Sequence, residues 1–486
     1  MKLNLEKPPK PKSLEAAHHL IEEQWRHIVA LQAQIEALEA SVEALQSRSG
    51  CSSRNSSQPP SIDSPAQRHQ RRRKPASGRK RGAQPGHKKH ERARVPEAQV
   101  DRFHRYYPDG QCTCGGSVVP ESAPYARHQL FDLPVVRHIV TEYQSYAGTC
   151  GACGKQHKAR LPHGVPTGQM GPGLISQILL LSGQFHLSIR QIQQFLKTHW
   201  QLDFSIGAIS QAQGKANPWL GPVYRQIGEQ VRKAPLAHAD ETRHIRGTNQ
   251  RWLWALVTET LCYFMVHYAR GKAAASALLG DFHGYLVTDH YAAYNAVPRD
   301  KRQLCWAHLI RHFLRISERK GQAGQTGKRL LLIAHSVFRT HHRHADQPDA
   351  HARYQRRMQR LRKSFQATLQ AGSELKGAKR TANQCRHLLK DEPLCWTFLQ
   401  HPAIPLTNNL AERAIRPYVI WRKLSYAVQS HHGDQFRPMI ASIIETCLRL
   451  GINTSAVLRE ICAEGLLRGE VTLQLPLDNR LPAPAP

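Results

Sequence analysis

The chain has 486 residues, room for about three domains, and carries 68 Lys+Arg against 36 Asp+Glu, a net charge of +32. That sign points to a polyanionic partner, nucleic acid first and an anionic membrane surface second. No apolar run approaches the roughly 18 residues of a membrane span, and the opening MKLNLEKPPKPK has no apolar core of the secretory kind, so the expected setting is cytoplasmic, at the nucleoid.

Residues 1–47 read as a coiled coil. Leu14, Ile21, Ile28, Ile35 and Val42 recur every seven residues, and Ala17, Gln24, Leu31, Leu38 and Leu45 fill the second seam. β-Branched residues at one seam position with Leu at the other favour two parallel strands, so self-association is expected, with an amphipathic helix packed on its own domain as the alternative. Residues 48–98 form a low-complexity linker followed by a basic arm. Between 68 and 94 twelve Lys and Arg stand against one acid, Glu91. Arg71, Arg72, Arg73, Lys74, Arg79, Lys80 and Arg81 are its densest part, suited to neutralising phosphates without choosing a sequence.

Eleven cysteines, odd in number and scattered, do not make a disulfide framework in a chain this long. Four of them, Cys112 and Cys114 in CTCGG and Cys150 and Cys153 in CGACGK, form two pairs, each followed by Gly. That pattern predicts a small zinc-ribbon-like module over 99–165, with strands at 127–132 and 135–146 and structural Zn²⁺ on the four thiolates; four unligated cysteines are the alternative. Residues 166–230 are helical. Within them 188–216 has helix-turn-helix proportions, with Ser205 as a helix cap. Ser205, Ser210, Gln211 and Gln213 would face a DNA groove, unless the segment is an ordinary helical hairpin between domains.

From 231 the pattern changes to strands. The apolar stretch 236–239 leads into Asp240, strands follow at 251–259 and 261–269, then a helix, and then GYLVTDHYAAY, in which 285–287 lead into Asp289. A third acid, Glu412, lies in PLTNNLAERAIRP, a helix that Thr407 or Asn408 can cap. Asp289 lies 49 residues after Asp240, and Glu412 a further 123 on. Two carboxylates at strand ends and one on a helix suit a pair of hard divalent cations, Mg²⁺ or Mn²⁺, that clamp the attacking and leaving oxygens of a phosphodiester. Glu241, Asp281 and Asp300 rank below these three. Arg416, one turn after Glu412, would offer a cation to the scissile phosphate. His308 and His312, one turn apart in CWAHLIRHF, fit a packed helix better than a metal site. Residues 318–398 form a basic helical insertion fit to lie along DNA, within a catalytic region that ends near 425. Helices and a Pro-Ala tail complete 426–486.

HADET (238–242), GYLVTDHYAAYN (284–295), CWAHLIRHF (305–313) and NNLAERAIRP (408–417), with NSSQPPSIDSP (55–65) and KRGAQPGH (80–87) upstream, resemble the transposases of the insertion sequence 66 family. The resemblance runs through nearly the whole chain in the same order. It implies a ribonuclease-H-like core in a multidomain α/β chain, with Asp240, Asp289 and Glu412 as the catalytic Asp-Asp-Glu triad on two metal ions. It also implies end cleavage and strand transfer on element and target DNA, and small accessory proteins as partners. CTC is a narrower thiolate pair than the family's commoner spacing. A structure-specific nuclease on the same fold and a zinc-containing DNA-binding regulator descended from a transposase are the rival expectations.

Overall fold

The computed structural model describes residues 13–49, 63, 86, 93–133, 137–162, 164–166, 168–344 and 351–477. The cations expected to form the basic arm, Arg71, Arg72, Arg73, Lys74, Arg79, Lys80 and Arg81, lie outside them. The heptad segment is one helix, α1 (Leu14–Ser49). Its seam residues Leu14, Ile21, Ile28, Leu31, Ile35 and Leu38 are each more than half exposed. Among the described residues nothing covers this apolar stripe.

The cysteine-bearing segment is sparser than expected. Two three-residue strands, β1 (Ala147–Thr149) and β2 (Gln156–Lys158), pair antiparallel, and a single bridge joins Gln111 to Ser117. The strands expected at 127–132 and 135–146 do not form among the described residues. Leu130, Ile139 and Val140 are 80–92% exposed, so the alternation of apolar residues there buries nothing, and a strand without a partner leaves its backbone groups unpaired.

Three helices follow: α2 (Pro172–Gly183), α3 (Ile189–Trp200) and α4 (Ile206–Arg232). Ser188 opens α3 with a capping box to Gln191, and Ser205 caps α4 by accepting from the Ala208 amide at 3.2 Å. The second helix of the expected helix-turn-helix is thus the start of a 27-residue helix that runs on to the central sheet.

That sheet has five strands in the order β5-β4-β3-β6-β7. They are β3 (Leu236–Arg246), β4 (Asn249–Val257), β5 (Cys262–His267), β6 (Tyr285–Thr288) and β7 (Arg302–Leu304). The first three form an antiparallel meander, whereas β6 and β7 run parallel to β3. The crossover from β5 to β6 carries α5 (Lys272–Leu279), as a parallel connection requires. At the start of β6, Gly284 allows a close approach, since a Cβ there would lie 2.4 Å from the Ala234 carbonyl oxygen.

After β7 come α6 (Trp306–Ser317) and the helical insertion α7 (Gly321–His344), α8 (His351–Ser373) and α9 (Lys379–Lys390), which has its own core around Trp306, Phe313, Phe365 and Trp396. The chain returns through α10 (Asn409–Ser425) and ends in α11 (His431–Leu450) and α12 (Thr454–Leu467). These last two helices share one hydrophobic core with α2 to α5, α10 and the sheet. No helix among the described residues is long and apolar enough to cross a membrane.

Candidate active site

The centre of the sheet positions the first two acids. β3 and β6 pair in register His238 to Val287. Asp240 lies two residues further along β3 and Asp289 two residues past Val287, so the parallel pairing brings both acids to the same end of the two strands. Asp289 stands one residue beyond β6, at the carboxyl end of a parallel strand, where α/β sheets present their reactive groups. Each carboxylate is also held by a local amide. Asp240 Oδ1 accepts from the Glu241 N–H at 2.9 Å, and Asp289 Oδ1 from the Tyr291 N–H at 2.9 Å.

Glu412, in the first turn of α10, belongs to the same neighbourhood. Burial pushes the Asp240 carboxyl well above the usual carboxylate range, and the negative charges of Glu241, Asp289 and Glu412 push it the same way. A carboxylate crowded by like charges favours whatever cation or proton relieves it. Among the described residues no group of three or more His, Cys, Asp or Glu closes into a metal-ligand set.

A buried cation shapes the turn after β6. Arg302, 1% exposed, donates through Nε to Thr288 Oγ1 at 3.0 Å and through Nη1 to Asn295 Oδ1 at 2.8 Å. Its Nη2 reaches the backbone oxygens of Asp289 (3.1 Å) and Tyr291 (3.0 Å). Every bond serves the segment carrying Asp289, so this arginine positions the acid without touching its carboxylate.

Asn408 ties the third acid to the first. It occupies the N-cap of α10, yet it makes no side-chain capping bond, contrary to the capping role expected of it. Its fully buried amide reaches across to β3 instead. Nδ2 donates to the Ala239 carbonyl at 2.8 Å, and Oδ1 lies 3.0 Å from His238 Nδ1. Burial pushes the His238 imidazole down to about 4, so the neutral ring donates from Nδ1. The Asn408 backbone N–H also meets Cys305 Sγ at 3.1 Å. Further along α10, Tyr418 hydrogen-bonds His244, and Arg422 donates to Thr242 Oγ1 at 3.1 Å. The helix carrying Glu412 is therefore pinned along the strand carrying Asp240. His244 Nε2 in turn lies 2.8 Å from Asp434 on α11, which also pairs with Arg246 at 3.1 Å.

The cation beside Glu412 is Arg311 of α6, whose Nη2 lies 3.2 and 3.3 Å from the two carboxylate oxygens. Arg416, expected to offer a cation to the scissile phosphate, is exposed and makes no contact with Glu412 among the described residues. His308 also joins the site, its Nε2 3.5 Å from Glu412 Oε1 and its Nδ1 buried without a partner. The charge around it supplies the physical reason for a basic residue here, and no signal in the sequence short of the fold pairs His308 and Arg311 with Glu412. His312, one turn on, is pushed down to about 4 by burial and by the cations around it.

The lower-ranked acids separate clearly. Asp281 and Asp300 are exposed. The Glu241 side chain, 2% exposed, adds its charge to the crowding of Asp240 but is itself paired. It accepts from Arg270 at 2.8 and 3.1 Å and from the Tyr294 hydroxyl at 2.9 Å. Arg270 is itself stacked between Trp252 and Tyr291, at 4.6 and 4.5 Å.

The cysteines form two separate turns. The Cys112 thiol is lowered chiefly by the Cys114 amide and the Cys150 thiol by that of Cys153, with Gly115 and Gly154 at φ +90 and +69. Amides aimed at sulfur suit thiolate ligands. Of the four residues expected in a DNA groove, Ser210 and Gln211 are exposed, the Ser205 hydroxyl is engaged as a cap, and Gln213 is half-buried with an unpartnered Nε2.

Comparison with known proteins places this geometry in context. A family model described as "Transposase IS66 family" matches residues 167–435, and a model of a family of unknown function, DUF6444, matches residues 6–93. Three proteins of Sinorhizobium fredii (strain NBRC 101917 / NGR234) are similar. The uncharacterized protein y4qI is 26% identical over 258 residues, 47% of this chain and 47% of its own length. The uncharacterized protein y4hP is 24% identical over 393 residues, 73% of this chain and 70% of its own, and y4jD is 24% identical over 54% and 56%. The matched part of the chain thus spans about half the length of the first of these relatives.

Proposed function

The chain belongs to the IS66 transposase family, and from that premise we propose that it is a DNA transposase that cuts the ends of an insertion sequence and joins them to target DNA. The observation that carries this reading is that β3, which bears Asp240, pairs in parallel with β6, which leads into Asp289, and that the charges of Asp289 and Glu412 both reach the Asp240 carboxyl. The strand order, an antiparallel meander followed by two parallel strands beside its first member, supports a ribonuclease-H-like core.

Asp240, Asp289 and Glu412 would hold Mg²⁺ or Mn²⁺, hard cations that prefer carboxylate oxygen. Two such ions, when bound, supply a Lewis acid for the attacking oxygen and charge neutralisation for the leaving one. The protein's own residues do the rest. Arg302 and Asn408 hold the acids' backbones in place, and the crowding of Asp240 by like charges makes cation entry favourable. Arg311 neutralises Glu412 in the resting chain and is near enough to turn its guanidinium to a phosphate. Zn²⁺ on Cys112, Cys114, Cys150 and Cys153 would be structural, since four thiolates leave no open position. Pairing of two chains along α1 and the basic arm 68–94 would bring two element ends together, with accessory proteins of the same element as further partners.

The test is amide substitution at each acid. Asp240→Asn, Asp289→Asn and Glu412→Gln should each abolish end nicking and strand transfer on oligonucleotide substrates while leaving DNA binding intact. Full activity in all three would end the two-metal reading.

A further inference from the structure

Helix α8 carries no acidic residue in 23 positions, and its cations are sorted by face. Tyr354, Met358, Phe365 and Leu369 are buried in the insertion's core. The half-buried Arg362 forms a two-pronged pair with Glu392, at 2.8 and 2.9 Å. Arg353, Arg356, Arg357, Arg360 and Lys363 are all exposed, and at 100° per residue they fall within an arc of about 120° opposite that core. None of these five has an ion-pair or hydrogen-bond partner among the described residues.

We propose that this face of α8 is a docking surface for the phosphate backbone of duplex DNA. Its partner is DNA on the strength of the transposase reading; the remainder follows from the face itself. From 353 to 363 the helix rises about 15 Å, and one DNA strand carries a phosphate about every 3.4 Å of axis, so the stripe matches about four phosphates. Four of the five cations are arginine, whose planar fork grips a phosphate in two places where lysine offers a point charge. No aromatic side chain is exposed on this face, so it lacks the stacking surface with which proteins hold unpaired bases. That favours duplex over single strand and contact without regard to sequence. The insertion is also fastened beside the second acid. Asp391, just after α9, pairs with His290 at 2.9 Å and Arg299 at 3.1 Å, both in the segment that follows Asp289. DNA held by α8 is held by the body that frames the acids.

The experiment replaces all five residues with Ala in the full chain and measures duplex affinity by fluorescence anisotropy across a salt series. Ala preserves helix propensity, and circular dichroism checks that α8 persists. At about 0.9 per phosphate contact, four lost contacts should flatten the slope of log K against log salt by about 3 to 4. The loss of affinity should be equal for element ends and for unrelated duplexes of the same length. An unchanged slope in a folded variant overturns the proposal, as does a loss seen only with single strands or only with element ends. A parent chain that binds no DNA at low salt overturns the transposase reading as well. A parent that binds while the variant matches it overturns this inference alone.

Discussion

Asn408→Ala is the perturbation most closely tied to how the third acid is held. It removes two buried bonds, the one donated to the Ala239 carbonyl and the one accepted from His238 Nδ1, and leaves both partners without water. A buried polar group left unpaired costs about 1–3 kcal/mol, so two cost about 2–6, and local settling should keep the loss near about 3. At about 2–4 °C per kcal/mol for a domain of this size, the melting midpoint should fall by about 6–12 °C. Groups that orient a metal ligand through a second residue typically matter by on the order of 10–100-fold in metal affinity or activity. Strand transfer from pre-cut ends should therefore drop by that much below the melting range, and Mn²⁺ affinity read by electron paramagnetic resonance should weaken in step. Asn408→Asp should be worse at neutral pH, because it keeps the acceptor for His238 but sets a carboxylate against the Ala239 carbonyl. An Asn408→Ala chain with unaltered melting, Mn²⁺ affinity and strand transfer would refute the reasoning.

Glu241→Gln should lower stability by about 1–2 kcal/mol, less than the 3–5 of a fully buried pair because Arg270 is 42% exposed; calorimetry checks this, and an unchanged midpoint would show that the pair is dispensable. Ile28→Asp combined with Ile35→Asp should convert a dimeric chain to a monomer in sedimentation, since both sit on the open stripe of α1; a parent chain that sediments as a monomer would remove the claim. Cys150→Ser with Cys153→Ser should release about one zinc per chain and expose residues 99–165 to protease, because metal binding and folding are coupled in so small a module. Elemental analysis finding no zinc in the parent chain would count decisively against it.

Much of the central sheet was legible because its signals are local. The apolar run into Asp240, the meander, the helix and the run into Asp289 each announce themselves within a dozen residues, and parallel pairing of β3 with β6 then follows from the crossover. What escaped depends on distant partners. Arg311 and His308 stand more than 100 residues before Glu412 in the chain, so nothing beside Glu412 in the sequence points to them. Asn408 carried a capping signature that was correct in position and wrong in use, because a buried carbonyl on β3 is a more demanding partner than an exposed helix end. The strands expected at 127–132 and 135–146 are missing among the described residues for the opposite reason: strand-like alternation specifies a strand only where a second strand and a buried face exist to receive it.

The excursion between Asp289 and Glu412 is clasped where it leaves and re-enters the core. The Trp306 N–H donates to the Leu406 carbonyl at 2.9 Å, and the Cys305 N–H to that of Thr288 at 2.8 Å. Since the two ends are clasped to each other, residues between α6 and α9 that contact neither acid can vary in number without moving the clasp. Doubling the length of a flexible excursion adds only about 0.6 kcal/mol of closure entropy. Relatives should therefore vary in how many residues separate these acids while keeping the clasp, and grafts of foreign helical segments beyond α6 should be accepted as cargo on a stem.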